Sequence, residues 1–148
     1  MHSFVSCLLH VVFSTKDRRP LITPDMQIRL WPYFGGIARN HKMKVIQAGG
    51  VEDHVHLLIS LPSTLEIAKA VQLLKGNSSK WVHETFADQQ AFEWQVGYGA
   101  FSIGISGMAD TSAYIENQAA HHQKITFRDE LESILKKHGI TYEEWMLD

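Results

Sequence analysis

The sequence predicts an α+β protein built on one four-stranded antiparallel sheet. Three observations support this fold class: the predicted elements run β-α-β-β-α-β and then continue as helices, no repeat or linker divides the chain, and 148 residues with 45% hydrophobic content can bury one core. This order is the split βαβ, or ferredoxin-like, arrangement, with helices on one face of the sheet and additional C-terminal helices. We therefore expect residues 1–148 to form a single domain.

The first half of the chain is predicted to contain a strand, a helix and two more strands. The apolar segment SFVSCLLHVVFST predicts a buried strand. A helix is predicted over TPDMQIRLWPYFGGIARNH, with Thr23 as N-cap and Pro24 at the first helical position, although Pro32 and the Gly35–Gly36 pair argue against a continuous helix. The residues expected on its buried face are Ile28, Leu30, Trp31, Phe34 and Ile37. MKVIQAGG and DHVHLLISL predict the next two strands.

The second half is predicted to hold a long helix, the fourth strand and two more helices. STLEIAKAVQLLKGNSSKWVHETF has helical periodicity, with Ser63 or Thr64 as the expected cap. Its expected apolar stripe is Ile67, Ala70, Val71 and Leu74. GYGAFSIGIS predicts the fourth strand, and MADTSAYIENQAAHHQ predicts a third helix beginning at its Asp/Thr/Ser cluster. A fourth helix is predicted in FRDELESILKKHG, ended by Gly139.

Charge and composition limit the classes of function. A net charge of −2 argues against a protein that binds DNA through overall charge, but residues 1–80 carry ten Lys/Arg against five Asp/Glu, whereas residues 81–148 carry four against eleven. No apolar run is long enough to span a membrane, and the apolar N-terminus lacks the basic start of a signal peptide. The single cysteine, Cys7, rules out an intrachain disulfide, so we expect a cytoplasmic protein.

Two histidines stand two residues apart in the third predicted strand. His54 and His56 point to the same face of a strand, whereas Val55 and Leu57 point to the opposite face, toward the expected helical core. Two adjacent imidazoles can occupy neighbouring positions on one metal ion. Histidines that are only hydrogen-bonded or exposed are the commoner explanation of such a pair, so a third ligand is needed.

The third predicted helix offers a ligand and a nucleophile. Tyr114 and Gln118 are four residues apart and share one helix face. A glutamine oxygen can bind a hard divalent cation, and a phenol can attack phosphorus, although Asn117 is a competing oxygen ligand and a helical tyrosine often only packs on a sheet. We expect His121 and His122 to be exposed rather than to act as ligands.

Together these features resemble the single-tyrosine HUH transposases of insertion sequences, the IS200-like or TnpA family. The motif is histidine, a bulky hydrophobe and histidine on a strand, followed by a helix with Tyr-x-x-x-Gln. The resembling segments, in order along most of the chain, are LLHVVFSTKDRRPLI, GGVEDHVHLLISLP, VQLLKGNSSKW, WQVGYGAFSIG and YIENQAAHHQKITFRDEL.

The resemblance implies a metal-dependent DNA transposase. His54, His56 and Gln118 would hold one Mg²⁺ or Mn²⁺, and Tyr114 would cleave single-stranded DNA at hairpin-bearing element ends through a 5′-phosphotyrosine intermediate. One tyrosine cuts once, so excision implies a homodimer, with Tyr114 acting in its own chain or in the partner. Candidate contacts to the DNA hairpin are the basic residues Lys16, Arg18, Arg19, Lys42 and Lys44.

Three alternatives stay open at this point. A host-adapted relative could process repetitive palindromic DNA with the same residues. A non-catalytic single-stranded nucleic-acid-binding protein could use the same fold, but such a module carries aromatic residues on its central strands, where this chain has His54 and His56. A metal-binding or hydrolytic protein could use the histidines without Tyr114.

Overall fold

The computed structural model describes residues 1–148 and contains one antiparallel sheet. Its strands are β1 (Leu8–Ser14), β2 (Lys44–Gly50), β3 (His54–Ser60) and β4 (Gly99–Ile103), in the order β2-β3-β1-β4. The helices are α1 (Pro24–Asn40), α2 (Ile67–Thr85), α3 (Met108–Glu116), α4 (Gln118–His121) and α5 (Phe127–Lys137). This topology confirms the predicted ferredoxin-like fold.

The two faces of the sheet are covered by different helices. On one face, Val55, Leu57 and Ile59 of β3 join a core of 20 buried apolar residues that includes the inner sides of α1 and α2. The opposite face carries His54 and His56 and is covered by the C-terminal helices. The alternation of β3 thus places the histidines away from the main core, as predicted.

Helix α1 runs unbroken through Pro32 and the Gly35–Gly36 pair, the residues that weakened the prediction of a continuous helix. Thr23 caps its first turn by accepting a hydrogen bond from the Met26 backbone N–H at 3.3 Å, as predicted. The carbonyl freed by Pro32 belongs to Ile28, whose side chain is 74% exposed, so water can reach this side of the helix. Ile28 was therefore wrongly assigned to the buried face, whereas Leu30 and Phe34 are fully buried.

Helix α2 begins later than the sequence indicated. Its N-cap is Glu66, not Ser63 or Thr64, because the preceding residues form a turn in which the Leu65 N–H donates to the Pro62 carbonyl. Ile67 in the first turn is consequently 40% exposed. The rest of the predicted stripe, Ala70, Val71 and Leu74, is buried.

The C-terminal helices are shorter and more sharply divided than predicted. The third predicted helix begins at Met108, ahead of the expected cap cluster, and breaks at Asn117 into α3 and α4. After α5 the backbone turns at Gly139, whose φ of +66° suits a glycine. None of the helices combines the length and the apolar character that crossing a membrane requires.

Candidate metal and nucleophile site

The two histidines of β3 lie in the middle of the covered sheet face. His56 pairs with Val12 of β1 and with Gly49 of β2, and His54 pairs with Ser14 at the end of β1. Both side chains are fully buried. Buried imidazoles need polar partners, and Asp53, His10 of β1 and the C-terminal helices supply them.

His54 contacts two carboxylates and faces the predicted third ligand. Its Nδ1 lies 2.7 Å from Asp53 Oδ1, and its Nε2 lies 3.2 Å from Gln118 Oε1 and 3.2 Å from Glu130 Oε1. The ring also stacks on Phe127, with 4.1 Å between centroids. Burial opposes protonation of His54, but hydrogen bonds with Asp53 and Glu130 outweigh burial and raise its pKa.

His56 bridges a buried histidine and the same glutamate. Its Nδ1 shares a hydrogen bond with His10 Nε2 at 2.7 Å, and its Nε2 lies 3.0 Å from Glu130 Oε1. Burial lowers the pKa of His56 despite the adjacent carboxylate. Burial, reinforced by His56, also lowers the pKa of His10 to about 3, so His10 is neutral at physiological pH.

Glu130 of α5 stands at the centre of the cluster. Its Oε2 accepts hydrogen bonds from the Tyr114 hydroxyl and from Gln118 Nε2, the latter at 3.0 Å, while Oε1 faces the imidazoles. Burial opposes ionisation of Glu130, but hydrogen bonds to His54 and His56 prevail and lower its pKa. A buried carboxylate is therefore kept charged in the middle of the site.

Tyr114 lies beside the histidine pair of its own chain. Its ring centroid is 5.8 Å from that of His56, and its hydroxyl reaches Glu130 Oε2 and, at 3.3 Å, His121 Nε2. Burial, followed by the hydrogen bond and the negative charge of Glu130, raises the pKa of Tyr114. The structure thus brings together the four residues singled out for chemistry: Tyr114, His54, His56 and Gln118.

The expectation that His121 and His122 are exposed was wrong. The His122 side chain is only 10% exposed, and its Nε2 lies 3.0 Å from Glu130 Oε1. His121 is partly covered and contacts Tyr114 and Glu130 Oε2. The break at Asn117 separates α4 from α3, so the single-helix spacing used for the expectation does not apply.

Glu130 was missed by the sequence analysis. It is three residues after Phe127 and four before Ile134, so it occupies the apolar side of α5. A glutamate at a buried-face position is the signal that could have identified it, because buried carboxylates require charged or hydrogen-bonding partners.

The donor atoms of the cluster suit a divalent cation. One donor atom each from His54, His56, His122 and Glu130 lies within 4.8 Å of the others. The Gln118 oxygen adds a further donor, oriented by the hydrogen bond of its amide nitrogen to Glu130. Imidazole, carboxylate and amide oxygen are ordinary ligands of divalent metals.

The basic residues fall into two groups rather than one surface. Lys16, Arg18 and Arg19 follow β1 near the His54 end of β3, whereas Lys44 pairs with Ser60 at the other end. Six residue steps along β3 separate these ends, or about 20 Å at ~3.3 Å per residue. Lys42 lies two residues before Lys44 and is also exposed.

Within the first group, Arg18 is partly engaged by the C-terminal segment. Its guanidinium lies 5.0 Å from the centre of the Phe127 ring and donates to the Leu147 carbonyl, and burial lowers its pKa. Lys16 pairs with Glu93 at 3.3 Å. Arg19 is exposed.

An open groove of about 780 Å³ reaches the edge of the cluster. Asp53 and His122 belong both to the groove wall and to the cluster surroundings, and Arg18 and Lys124 add positive charge to the wall. This groove therefore connects the solvent with the neighbourhood of the buried site.

The fold and the cluster define a class of protein: a ferredoxin-like domain whose sheet carries a histidine–glutamate cluster, able to hold a cation, beside a tyrosine hydroxyl. The model of one family, described as IS200-like transposase, matches residues 3–118 of this chain. The chain therefore belongs to the IS200-like transposase family, as the sequence motifs indicated.

Two sequence relatives agree with this assignment. The transposase of insertion sequence element IS200 from Salmonella typhimurium is 25% identical over 122 residues, covering 79% of this chain and 80% of the relative. The ISDra2 transposase TnpA of Deinococcus radiodurans is 25% identical over 114 residues, covering 74% and 81%.

Two solved structures share the fold. A Deinococcus radiodurans protein provisionally assigned as a transposase superposes with a TM-score of 0.63 at 22% identity, over 80% of this chain and 95% of the other. A REP-associated tyrosine transposase bound to a REP hairpin gives a TM-score of 0.60 at 15% identity, over 84% and 74%.

Proposed function

We propose that this protein is a metal-dependent transposase that cleaves and rejoins single-stranded DNA at hairpin-bearing element ends through a covalent link to Tyr114. The observation that carries the proposal is the meeting of Tyr114 with His54, His56 and Gln118. The tyrosine and the glutamine come from the C-terminal helices, yet they lie on the sheet face where the histidine pair emerges. Because the chain belongs to a transposase family, DNA cleavage and rejoining is the reaction that we assign to this geometry.

In the proposed reaction the phenol oxygen of Tyr114 attacks the scissile phosphorus. The new bond joins phosphorus to the tyrosine oxygen, the bond from phosphorus to the 3′ oxygen breaks, and that oxygen leaves as a 3′-hydroxyl. Because the phosphotyrosine link retains a phosphodiester, a later 3′-hydroxyl can reverse the step and join strands without an energy source. Rejoining and cleavage then use the same side chains.

The residues around the phenol have separate tasks in this proposal. Glu130 Oε2 accepts the hydrogen bond of Tyr114 and so orients the hydroxyl, while the same carboxylate keeps the phenol protonated. His54, His56 and Gln118 would hold Mg²⁺ or Mn²⁺, which would polarise the phosphate and favour the phenolate by its positive charge. Asp53 fixes the orientation of the His54 ring.

A phosphate can reach the cluster only if its cover moves, because His54, His56, Gln118 and Glu130 are each at most 1% exposed. Helix α5 is the candidate cover. The apolar contact of Phe127 with the sheet involves a cluster of only three buried residues, in contrast to the 20 of the main core. We infer that α5 opens from the side of the groove when DNA binds.

The DNA partner is proposed from charge and from the structural neighbour. The neighbour at 15% identity is bound to a REP hairpin. At this identity the comparison shows only that the two chains share a fold, so the hairpin partner is a proposal for this chain. Arg18 in the groove wall, with Lys16 and Arg19 close to it in the chain, would contact the DNA backbone near the cleaved phosphate. Lys42 and Lys44, about 20 Å away along β3 at ~3.3 Å per residue, would contact a more distant part of the hairpin.

We further propose that residues 1–148 work as one unit and that two chains form a homodimer. Arg18 contacts both Phe127 and Leu147, which ties the C-terminal segment to the first strand region. Each chain offers one Tyr114, so cutting both ends of an element requires two chains. Light scattering coupled to size-exclusion chromatography should give twice the 16.8 kDa chain mass; the single chain mass at micromolar concentration would contradict the dimer.

The test of the proposed function is a covalent adduct. Incubation with a labelled single-stranded hairpin DNA and Mn²⁺ should give a protein–DNA species that survives denaturation. Tyr114→Phe should abolish this species, while Tyr142→Phe, which changes a partly buried phenol that donates a hydrogen bond to Glu132 outside the cluster, should not. His54→Ala and His56→Ala should also remove it.

The other functions give different outcomes in this assay. DNA binding without any adduct would indicate the non-catalytic binder, and cleavage that survives Tyr114→Phe would indicate a hydrolytic metalloprotein. The host-adapted relative would form the adduct on repetitive palindromes in preference to element ends. The sequence relatives at 25% identity are insertion-sequence transposases, which favours the mobile-element function.

A further inference from the structure

The cluster contains two potential metal-binding side chains that lie outside the family match. The match ends at residue 118, whereas His122 and Glu130 belong to the following segment. His122 Nε2 and Glu130 Oε1 nevertheless lie 3.0 Å apart, in contact with the histidine pair. The last thirty residues of this chain therefore add donor atoms to the predicted site.

Hydrogen bonds behind two of the rings fix which nitrogen faces the site. His54 Nδ1 lies 2.7 Å from Asp53 Oδ1, and His122 Nδ1 lies 3.0 Å from the Ile125 carbonyl oxygen. Both partners only accept hydrogen bonds, so each Nδ1 carries the hydrogen. In the neutral ring the Nε2 then presents a lone pair, and both Nε2 atoms point at Glu130 Oε1.

Lone pairs facing a carboxylate oxygen require positive charge between them. Without a cation, Glu130 Oε1 alone would have to accept a hydrogen bond from all three Nε2 atoms, which lie 3.2, 3.0 and 3.0 Å away in His54, His56 and His122, although one carboxylate oxygen offers about two lone-pair sites. One divalent cation satisfies all the lone pairs at once, and the two carboxylates balance its charge. A single divalent cation therefore satisfies these atoms better than separate protons on the three rings.

The distances between donors fit a shared ion. Glu130 Oε1 lies 3.2, 3.0 and 3.0 Å from Nε2 of His54, His56 and His122. Two donors bound to one ion at about 2.1 Å stand roughly 3.0 to 3.4 Å apart for right and tetrahedral angles. All four donor atoms lie within 4.8 Å of one another, so one ion can be shared among them.

We propose that His122 and Glu130 bind the same ion as His54 and His56, forming in the closed protein a site selective for transition metals over Mg²⁺. Three imidazoles and one carboxylate suit Mn²⁺, Co²⁺ or Zn²⁺, whereas Mg²⁺ prefers oxygen ligands and retains its waters. This inference deepens the proposed function and rests on its assignment of His54 and His56 as metal ligands. Of the two ions expected from the sequence, Mg²⁺ and Mn²⁺, it favours Mn²⁺.

The experiment is a Co²⁺ titration of the chelator-treated full chain, followed by visible absorption and by the change in melting temperature. Wild type should bind one Co²⁺ per chain, and a large excess of Mg²⁺ should not displace it. His122→Ala and Glu130→Gln should each weaken binding about 10-fold or more and alter the spectrum. The controls His41→Ala and Glu132→Gln, outside the cluster, should bind as wild type.

The outcomes separate this inference from the proposed function. Unchanged Co²⁺ affinity in both His122→Ala and Glu130→Gln would overturn the inference, even if the Tyr114 adduct forms. Displacement of Co²⁺ by equimolar Mg²⁺, or absence of Co²⁺ binding by wild type, would overturn it as well. Conversely, a four-residue Co²⁺ site in a protein that never forms the adduct would overturn the proposed function and leave the inference standing.

Discussion

Gly49→Ala should move the tyrosine helix without touching any proposed catalytic or metal-binding side chain. Gly49 pairs with His56 across β2 and β3, and a Cβ built on it would lie 2.3 Å from the backbone carbonyl oxygen of Ile115 in α3. Side-chain Cβ atoms essentially never approach other atoms closer than 3.0 Å, so α3 must retreat by at least about 0.7 Å. Tyr114 is the residue next to Ile115, so its hydroxyl moves relative to His56.

The expected effect on the reaction is large compared with the effect on folding. A displacement near 1 Å of a reacting group costs on the order of 10²-fold in rate, whereas overpacking costs about 1–3 kcal/mol of stability. Single-turnover formation of the Tyr114 adduct should therefore fall about 100-fold while circular dichroism stays native. The matched control is Gly76→Ala in α2, where nothing lies within 4 Å of the new methyl group.

The control should keep the wild-type adduct rate and gain up to about 1 kcal/mol of stability from the better helix propensity of alanine. If Gly49→Ala forms the adduct within about threefold of wild type, far from the ~100-fold loss expected for a 1 Å shift, the reasoning is refuted. In that case the close packing of α3 on β2 does not position the tyrosine.

Further predictions concern capping, packing and the cover of the site. Thr23→Ala should lower the free energy of unfolding in urea by about 1 kcal/mol, whereas Ser63→Ala should change it by less than about 0.5 kcal/mol; equal effects would contradict the observed helix starts. Ile115→Ala removes a fully buried side chain and should cost about 2–5 kcal/mol, while Ile28→Ala on the exposed face of α1 should be nearly neutral by the same measurement. Phe127→Ala should speed hydrogen exchange of the α5 amides more than that of β3, because its ring holds α5 against His54; uniform exchange in both elements would contradict α5 as the cover.

The sequence predicted the sheet and the face of the histidines because both depend on local periodicity. Alternation in β3 separates His54 and His56 from Val55 and Leu57 whatever the tertiary partners are. The Tyr114–Gln118 spacing identified the right pair, although the break at Asn117 places the two residues in different helices; they meet because both contact Glu130 Oε2. Their meeting with the histidines followed from the strand order of the fold.

The parts that the sequence could not supply depend on contacts between distant segments. The break at Asn117 redirects His122 into the cluster, and no residue near it is a strong helix breaker. In the sequence Glu130 resembles the other acids of a negatively charged segment, and only its contacts with four imidazoles distinguish it. The separation of Lys16 from Lys44 likewise reflects strand pairing, which composition does not encode.

The family match and the site also divide the chain in an informative way. Residues 3–118 include the histidine pair, Tyr114 and Gln118, whereas the segment beyond them covers the site and adds His122 and Glu130. We therefore expect features shared with IS200-like transposases to reside in the first part, and the metal preference and accessibility of the site to depend on the second.

The central claim, that Tyr114 is the nucleophile, is tested most directly by locating the covalent bond. After reaction with a hairpin DNA and nuclease digestion, tryptic cleavage at Lys80 and Lys124 releases one peptide that contains both Tyr98 and Tyr114. Fragmentation of this peptide in a mass spectrometer should place the 5′-phosphate-linked nucleotide on Tyr114. A nucleotide on Tyr98, or on any residue outside this peptide, would contradict the account.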